Sequence, residues 1–283
     1  MAVGLTLTYR DIYDIPEERL LVVDDATGQT RLATRDDWVV SDTVTAPLPN
    51  GQVVSKPVYD LRDGLTSTGG TFYTNGDRRQ RYMGVTLGLT KRLADRWSFR
   101  SHFTYNDWKW RIGSRFKKYD DPTDTVSDSL GFADDPSVFF EGSGGNKGNV
   151  LTGSRWSFNM NGIYQVAPDR PWGFNLGANI DGREGYVTPP YARRSGPVGR
   201  RNIQLAPVDQ FRNDNVYVVN ARIDKDFRFN DFNLNLSIDG FNLTNENYLL
   251  QVERNTGTGD RRFSPIEELS PRIFRLGATV RFR

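Results

Sequence analysis

The sequence predicts an all-β chain, an antiparallel transmembrane β-barrel of about eight strands with long extracellular loops and short periplasmic turns. Three observations carry the prediction. Eight segments place an apolar or small residue at every second position, and no amphipathic helix of comparable regularity competes with them. Short and long connections alternate strictly along the chain. Aromatic residues gather at the segment ends, as they do at the two interfaces of a membrane barrel.

The segments follow in order. The first sets Val3, Leu5, Leu7 and Tyr9 against Gly4, Thr6, Thr8 and Arg10. The second sets Met83, Val85, Leu87 and Leu89 against Gly84, Thr86, Gly88 and Thr90. The third has Trp97, Phe99, Ser101, Phe103 and Tyr105 on one row, with Arg100, His102 and Thr104 on the other. The fourth opposes Trp156, Phe158, Met160, Gly162 and Tyr164 to Ser157, Asn159, Asn161 and Ile163. The fifth opposes Trp172, Phe174, Leu176, Ala178 and Ile180 to Gly173, Asn175, Gly177, Asn179 and Asp181. In the sixth, Tyr217, Val219, Ala221 and Ile223 face away from Asn220, Arg222 and Asp224. The seventh opposes Leu234, Leu236, Ile238 and Gly240 to Asn233, Asn235, Ser237 and Asp239. The eighth closes the chain, with Phe274, Leu276, Ala278, Val280 and Phe282 against Arg275, Gly277, Thr279 and Arg281.

A soluble sandwich also hides one face, so alternation alone does not choose between solvents. Connection length does better. The turns LADR, APDRP and FNDF join segments two to three, four to five and six to seven. Long polar stretches separate these hairpins at roughly 15–80, 111–153, 187–215 and 245–271. Barrels of the outer membrane show that asymmetry, whereas sandwich domains turn every ~8–12 residues. Trp97, Tyr164, Trp172, Phe227, Phe229, Phe232 and Phe282 mark the short-turn ends, and Tyr9, Tyr105, Trp156, Tyr217 and Phe274 the opposite ends. Between these belts the apolar rows are expected to carry no charge, since a Lys or Arg facing lipid at midplane costs about 2–4 kcal/mol.

Composition sets the limits on chemistry. The chain has no cysteine and one histidine, which removes disulfides, thiolate metal sites and a cysteine nucleophile. Its formal net charge is +2 with no basic block, so nucleic acid is not an expected partner. The N-terminus MAVGLTLTYR alternates from the start and shows no leader pattern.

Two stretches carry a family resemblance. The ending RLGATVRF is similar to the assembly signal of outer-membrane barrels, with Arg275, Gly277, Val280 and Phe282 in the signal positions and Arg283 as a departure. DFNLNLSIDGFNLTNENYLL, followed by SPRIFRLGATVRF, resembles the C-terminal end of a TonB-dependent outer-membrane receptor. RQRYMGVTLGLTKRLADRWSFRSHFTYNDW is similar to a mid-barrel hairpin of that family, in its Oar-like, carboxypeptidase-regulatory-like branch. The resemblance covers roughly residues 78–283. It implies a 22-stranded barrel of which this chain supplies about eight strands and no plug domain, hence a single C-terminal barrel region. It also implies outer-membrane location, contact with outer-membrane lipid and the barrel-assembly machinery, TonB coupling only through the absent plug, and uptake of an unidentified nutrient. The alternative is a standalone eight-stranded barrel with a binding or structural role, in which Val3–Tyr9 pairs with Phe274–Phe282.

No catalytic, cofactor or metal constellation is expected. The polar rows supply the candidate ligand-facing residues: Arg100, His102, Arg222, Asp224 and Asp239. Asp120, Asp121, Asp124 and Asp128 offer hard oxygen ligands without the spacing of a calcium loop, and read as a solvated loop. GSGGNKGN at 142–149 has the glycines of a phosphate cradle without its strand-to-helix context. YARRSGPVGRR at 191–201 is a basic loop tip, and Asn242-Leu243-Thr244 is a glycosylation acceptor pattern without meaning in a bacterial barrel. An extra hairpin is expected within 15–80, around WVVSDTVT and QVVSKPVYD.

Overall fold

The computed structural model describes residues 1–14, 16–75, 78–112, 139–140, 146–147, 150–151, 153–196, 199–206 and 210–282. Each alternating segment forms a strand: β1 (Ala2–Ile12), β2 (Arg78–Ala94), β3 (Trp97–Ile112), β4 (Trp156–Val166), β5 (Phe174–Arg183), β6 (Val216–Arg228), β7 (Phe232–Phe241) and β8 (Ile273–Phe282). They pair in chain order into one antiparallel sheet, with Phe139–Phe140 adding a short strand to β3. The fold is all-β, and no α-helix occurs among the described residues. The sheet is open: β1 and β8 are its two edges and do not pair with each other.

The three expected hairpins turn where the sequence breaks alternation. Asp95 and Arg96 link β2 to β3 with φ of 53° and 73°, the two left-handed positions of a two-residue hairpin turn. Residues 167–173 link β4 to β5, so Trp172 lies in the turn and β5 begins at Phe174. Phe229 to Asp231 link β6 to β7, closed by the Phe229 N–H donating to Phe232 O at 2.9 Å.

Register turns eight separate patterns into one surface. Leu5 pairs with Leu87, Leu87 with Phe103, and Phe103 with Phe158. Further on, Leu176 pairs with Ile223, Ile223 with Ile238, and Ile238 with Leu276. A one-residue slip at any ladder would send a whole strand's apolar row to the other side. None has slipped, so the apolar rows of all eight strands share one face. That face is uncovered: Leu7 is 72% exposed, Leu276 79% and Phe282 82%.

The aromatic belts fall into place on it. Trp97 pairs with Tyr164 and Phe232 with Phe282 at the short-turn end. At the other end Tyr105 pairs with Trp156, whose ring lies 6.0 Å from that of Tyr217. The expectation of charge-free rows is corrected at two positions. Lys225 follows Ile223 on the apolar row of β6, and Lys91 pairs with Phe99 on that of β2. Their stems lie with the apolar row while their ammonium groups bend to the turns. Lys91 Nζ donates to Ala94 O at 2.6 Å and Trp97 O at 3.1 Å, and Lys225 Nζ to Pro171 O at 2.8 Å.

The buried core lies in the long connections. The hairpin Trp38–Pro47 with Val53–Leu61 forms where expected. A second hairpin, Tyr191–Gly196 with Gly199–Gln204, is built from the basic stretch read as a loop tip. Val44, Ala46, Leu48 and Val58 of the first pack against Ala192, Ile203, Leu205 and Ala206 on the second, all buried. Pro16–Asp24 pairs with Thr30–Leu32 and Leu65–Asn75, and Leu249–Val252 with Pro265–Glu268. The aspartates at 120, 121, 124 and 128 lie outside the described residues; of 142–149 only the Asn146–Lys147 backbone, paired with Val150–Leu151, is described.

Candidate functional site

The face opposite the apolar one carries the candidate residues. Because side chains alternate, residues paired across the ladders stand side by side on it. One row runs Arg100, Asn161, Asn179, Asn220. The next runs His102, Asn159, Asp181. Toward the short turns lies Gly177, Arg222, Asp239, Arg275, and beyond it Asn175, Asp224, Ser237, Gly277.

Amides join these rows. Asn220 donates to Asn179 Oδ1 at 3.0 Å, and Asn179 donates to Asn161 Oδ1 at 2.9 Å. Asn161 donates to Asn159, and Asn159 to Asp181. The chain ends on the backbone: the Asn242 N–H donates to Asn220 Oδ1 at 3.0 Å. An amide presents a donor and an acceptor at once, so each can pass the chain on without a charge.

A compensated charge cluster adjoins the ladder. Asp239, 6% exposed, accepts from Arg222 Nη1 at 3.3 Å and from Arg275 Nε and Nη2, both at 3.1 Å. Arg222 Nε also reaches Asp224 Oδ1 at 3.4 Å. Asp224 Oδ2 accepts from Asn175 at 3.0 Å and Asn235 at 3.2 Å. Two guanidinium groups and two carboxylates leave no net charge. Truncating Asp239 would take from Arg275 its carboxylate partner and leave Arg222 with Asp224 alone.

The structure thus brings Arg222, Asp224 and Asp239 together and adds Arg275, which sequence reasoning had assigned to the assembly signal. Arg100 and His102 stand two residues apart on the same face, with Gly88 across from His102 and Thr90 across from Arg100. Both are exposed and belong to neither network. In the assembly-signal strand, a Cβ at Gly277 would come within 2.6 Å of Ser237 Oγ, so glycine there gives Ser237 its room. Val280 and Phe282 lie on the apolar face.

Two further clusters at the long-loop end were not expected. Glu184, just past β5, accepts from Arg155 Nη2 at 2.6 Å, the Arg155 backbone N–H at 2.7 Å and Arg212 Nη1 at 3.1 Å. Burial pushes its carboxyl up, but the Arg155 bonds and the Arg212 charge outweigh that and hold it below the ordinary value. Asp37 is 2% exposed and gripped two-pronged by Arg31, at 2.6 and 2.7 Å, with Thr34 donating through N and Oγ1. The Arg31 bonds hold its carboxyl well below the usual range, despite burial. The signal was faint: acids with arginines at irregular spacing inside stretches that look like loops.

The basic hairpin is engaged internally. Arg194 Nε lies 4.0 Å from Asp42 Oδ2, and Gly196 packs so closely on Asp60 that a Cβ would meet Oδ1 at 2.5 Å. Among the described residues no group of three His, Cys, Asp or Glu is placed to hold a metal ion. The polar face offers amide donors and acceptors and paired charges, an arrangement that hydrates well and can exchange water for a polar solute. Comparison with family models, curated proteins and solved structures finds no match.

Proposed function

We propose that this sheet is part of the wall of an outer-membrane β-barrel, with the apolar face toward lipid and the amide-lined face toward a wet lumen. The observation that carries the reading is the register: eight apolar rows align into one uncovered surface bounded by aromatic belts. In water such a surface is an aggregation hazard; in a bilayer it is the condition for insertion. The proposed whole is a TonB-dependent receptor with a 22-stranded barrel, importing a nutrient when its plug is moved by TonB. The two free edges support continuation by further strands over closure of these eight. The ligand would meet the loops within 111–153 and 187–215 first, then the polar rows.

Strand length is consistent with crossing. β4, β5, β7 and β8 have 11, 10, 10 and 10 residues. At about 3.3 Å per residue and a tilt near 40°, that crosses the ~25 Å apolar band. β2 and β3, with 17 and 16 residues, are long enough to project beyond it.

The test is flotation of the full chain, folded in the presence of phospholipid vesicles, on a density gradient, followed by external protease. Co-flotation with cleavage confined to the long connections is expected. A folded monomer that stays in the aqueous fraction without detergent would overturn the proposal.

A further inference from the structure

Two of the long connections meet around Arg254. Backbone bonds fix the meeting: the Tyr191 N–H of the β5–β6 connection donates to Arg254 O at 3.0 Å, and Thr256 Oγ1 donates to Tyr191 O at 3.2 Å. Arg254, in the β7–β8 connection, is 6% exposed. A guanidinium carries five N–H donors and a full charge. Here Nη1 reaches Pro189 O at 3.5 Å, a long hydrogen bond, and the buried Nε makes none among the described residues. The Tyr191 ring lies 5.6 Å from Cζ.

No carboxylate forms an ion pair with Arg254 among the described residues. The adjacent Glu253 turns its Oε1 to the Asn255 N–H, at 2.8 Å, and acts on Arg254 only through its field. Burial outweighs that field and pushes the Arg254 pKa below the ordinary arginine value. A second guanidinium adds to the positive potential: Arg183 Cζ lies 3.7 Å from the centroid of the Tyr186 ring, and its Nη1 donates to Glu184 O at 3.3 Å. Taking a cation out of water costs more than one aromatic face and one long hydrogen bond return.

Arg254 also lines a cavity of about 10 Å³, together with the polar residues Tyr186, Thr188, Asn213 and Gln251. That is room for a single particle of about the size of water. A water there would answer donors but leave the charge as it is, whereas a monatomic anion answers both.

We propose that this cavity binds one chloride ion against Arg254, and that the ion ties the β5–β6 and β7–β8 connections together. The site lies in the long connections, so it stands whichever solvent meets the apolar face of the sheet.

The experiment takes the full chain, folded as for flotation, into sodium gluconate and titrates chloride in at constant ionic strength. Amide hydrogen exchange is read at Tyr191, whose N–H is bonded to Arg254 O, and at Thr188, whose N–H donates to Phe211 O at 2.8 Å. Exchange at both should slow saturably, roughly tenfold when chloride is at ten times its dissociation constant. Bromide should substitute for chloride, while acetate and sulfate, each too large for the cavity, should not. Arg254→Gln should exchange at a rate that chloride leaves unchanged. The wild-type anion series decides the matter even if that variant loosens the loops. A flat chloride titration of the wild-type chain, an equal response to acetate or sulfate, or a chloride response that survives in Arg254→Gln overturns the site.

Discussion

Replacing Leu87 by arginine separates the two possible solvents of the apolar face. Leu87 stands at mid-strand between Leu5 and Phe103 and is 42% exposed. If water bathed this face, Leu87→Arg would sacrifice only the packed half of the side chain, roughly 1 kcal/mol from the 1.5–3 kcal/mol of a fully buried leucine. The guanidinium would then be well solvated. In a bilayer the same change adds about 2–4 kcal/mol for arginine near midplane, a roughly 30- to 1,000-fold fall in the folding constant. Thr86→Arg is the internal control on the opposite face. Thr86 Oγ1 lies 3.1 Å from Thr104 Oγ1, so its loss costs about 1 kcal/mol in either solvent. The assay is urea unfolding of vesicle-folded chain, followed by tryptophan fluorescence. Comparable shifts for Leu87→Arg and Thr86→Arg would refute a lipid-facing row.

Other outcomes follow from the same geometry. Asp37→Asn should loosen the loop core by about 1–3 kcal/mol, since charge-assisted bonds to Arg31 are lost while the Arg31 and Arg62 guanidinium groups still reach water; limited proteolysis between 31 and 62 reads it out. The carboxyls of Asp37 and Glu184 are both held below their ordinary values, so their stabilisation is complete above the unfolded carboxylate range near ~4. It fades as pH falls through the folded values, and loop protease resistance should drop on acidification while strand content measured by circular dichroism persists. Gly185→Ala should destabilise the long-loop end by about 1–3 kcal/mol, because the new methyl would meet Asn213 O at 1.8 Å, whereas Gly4→Ala meets nothing within 4 Å and should be silent by the same urea titration. Leu205→Ala, deep in the loop core, should cost about 2–5 kcal/mol and increase hydrogen exchange in both long-loop hairpins together.

The strands were legible because each states its own two-faced environment locally. Val3 to Tyr9, or Leu234 to Gly240, need no partner to declare which side is apolar. The extra hairpin was legible for the same reason: Val44, Ala46 and Val58 keep period two inside a polar stretch. What alternation omits is pairing. The Arg222–Asp239–Arg275 cluster links three strands, and nothing local to Arg275 distinguishes a charge-network member from an assembly signal. Lys91 and Lys225 escaped notice because a lysine reads as polar, although its four-carbon stem sits on an apolar row as readily as leucine does. The loop core was missed because its halves, near 44–58 and 192–206, are each too short to look like a core alone.

Those two halves also fix an order of events. Between them in the chain lie β2, β3, β4 and β5, so the cluster that holds Val44 and Leu205 joins stretches separated by four strands of the sheet. Contacts between such distant stretches carry the largest loop-closure entropy and form late. The two long-connection hairpins are therefore expected to engage last. They stay apart while the wall is being built, and their engagement marks a chain whose strands have been threaded in the right sequence.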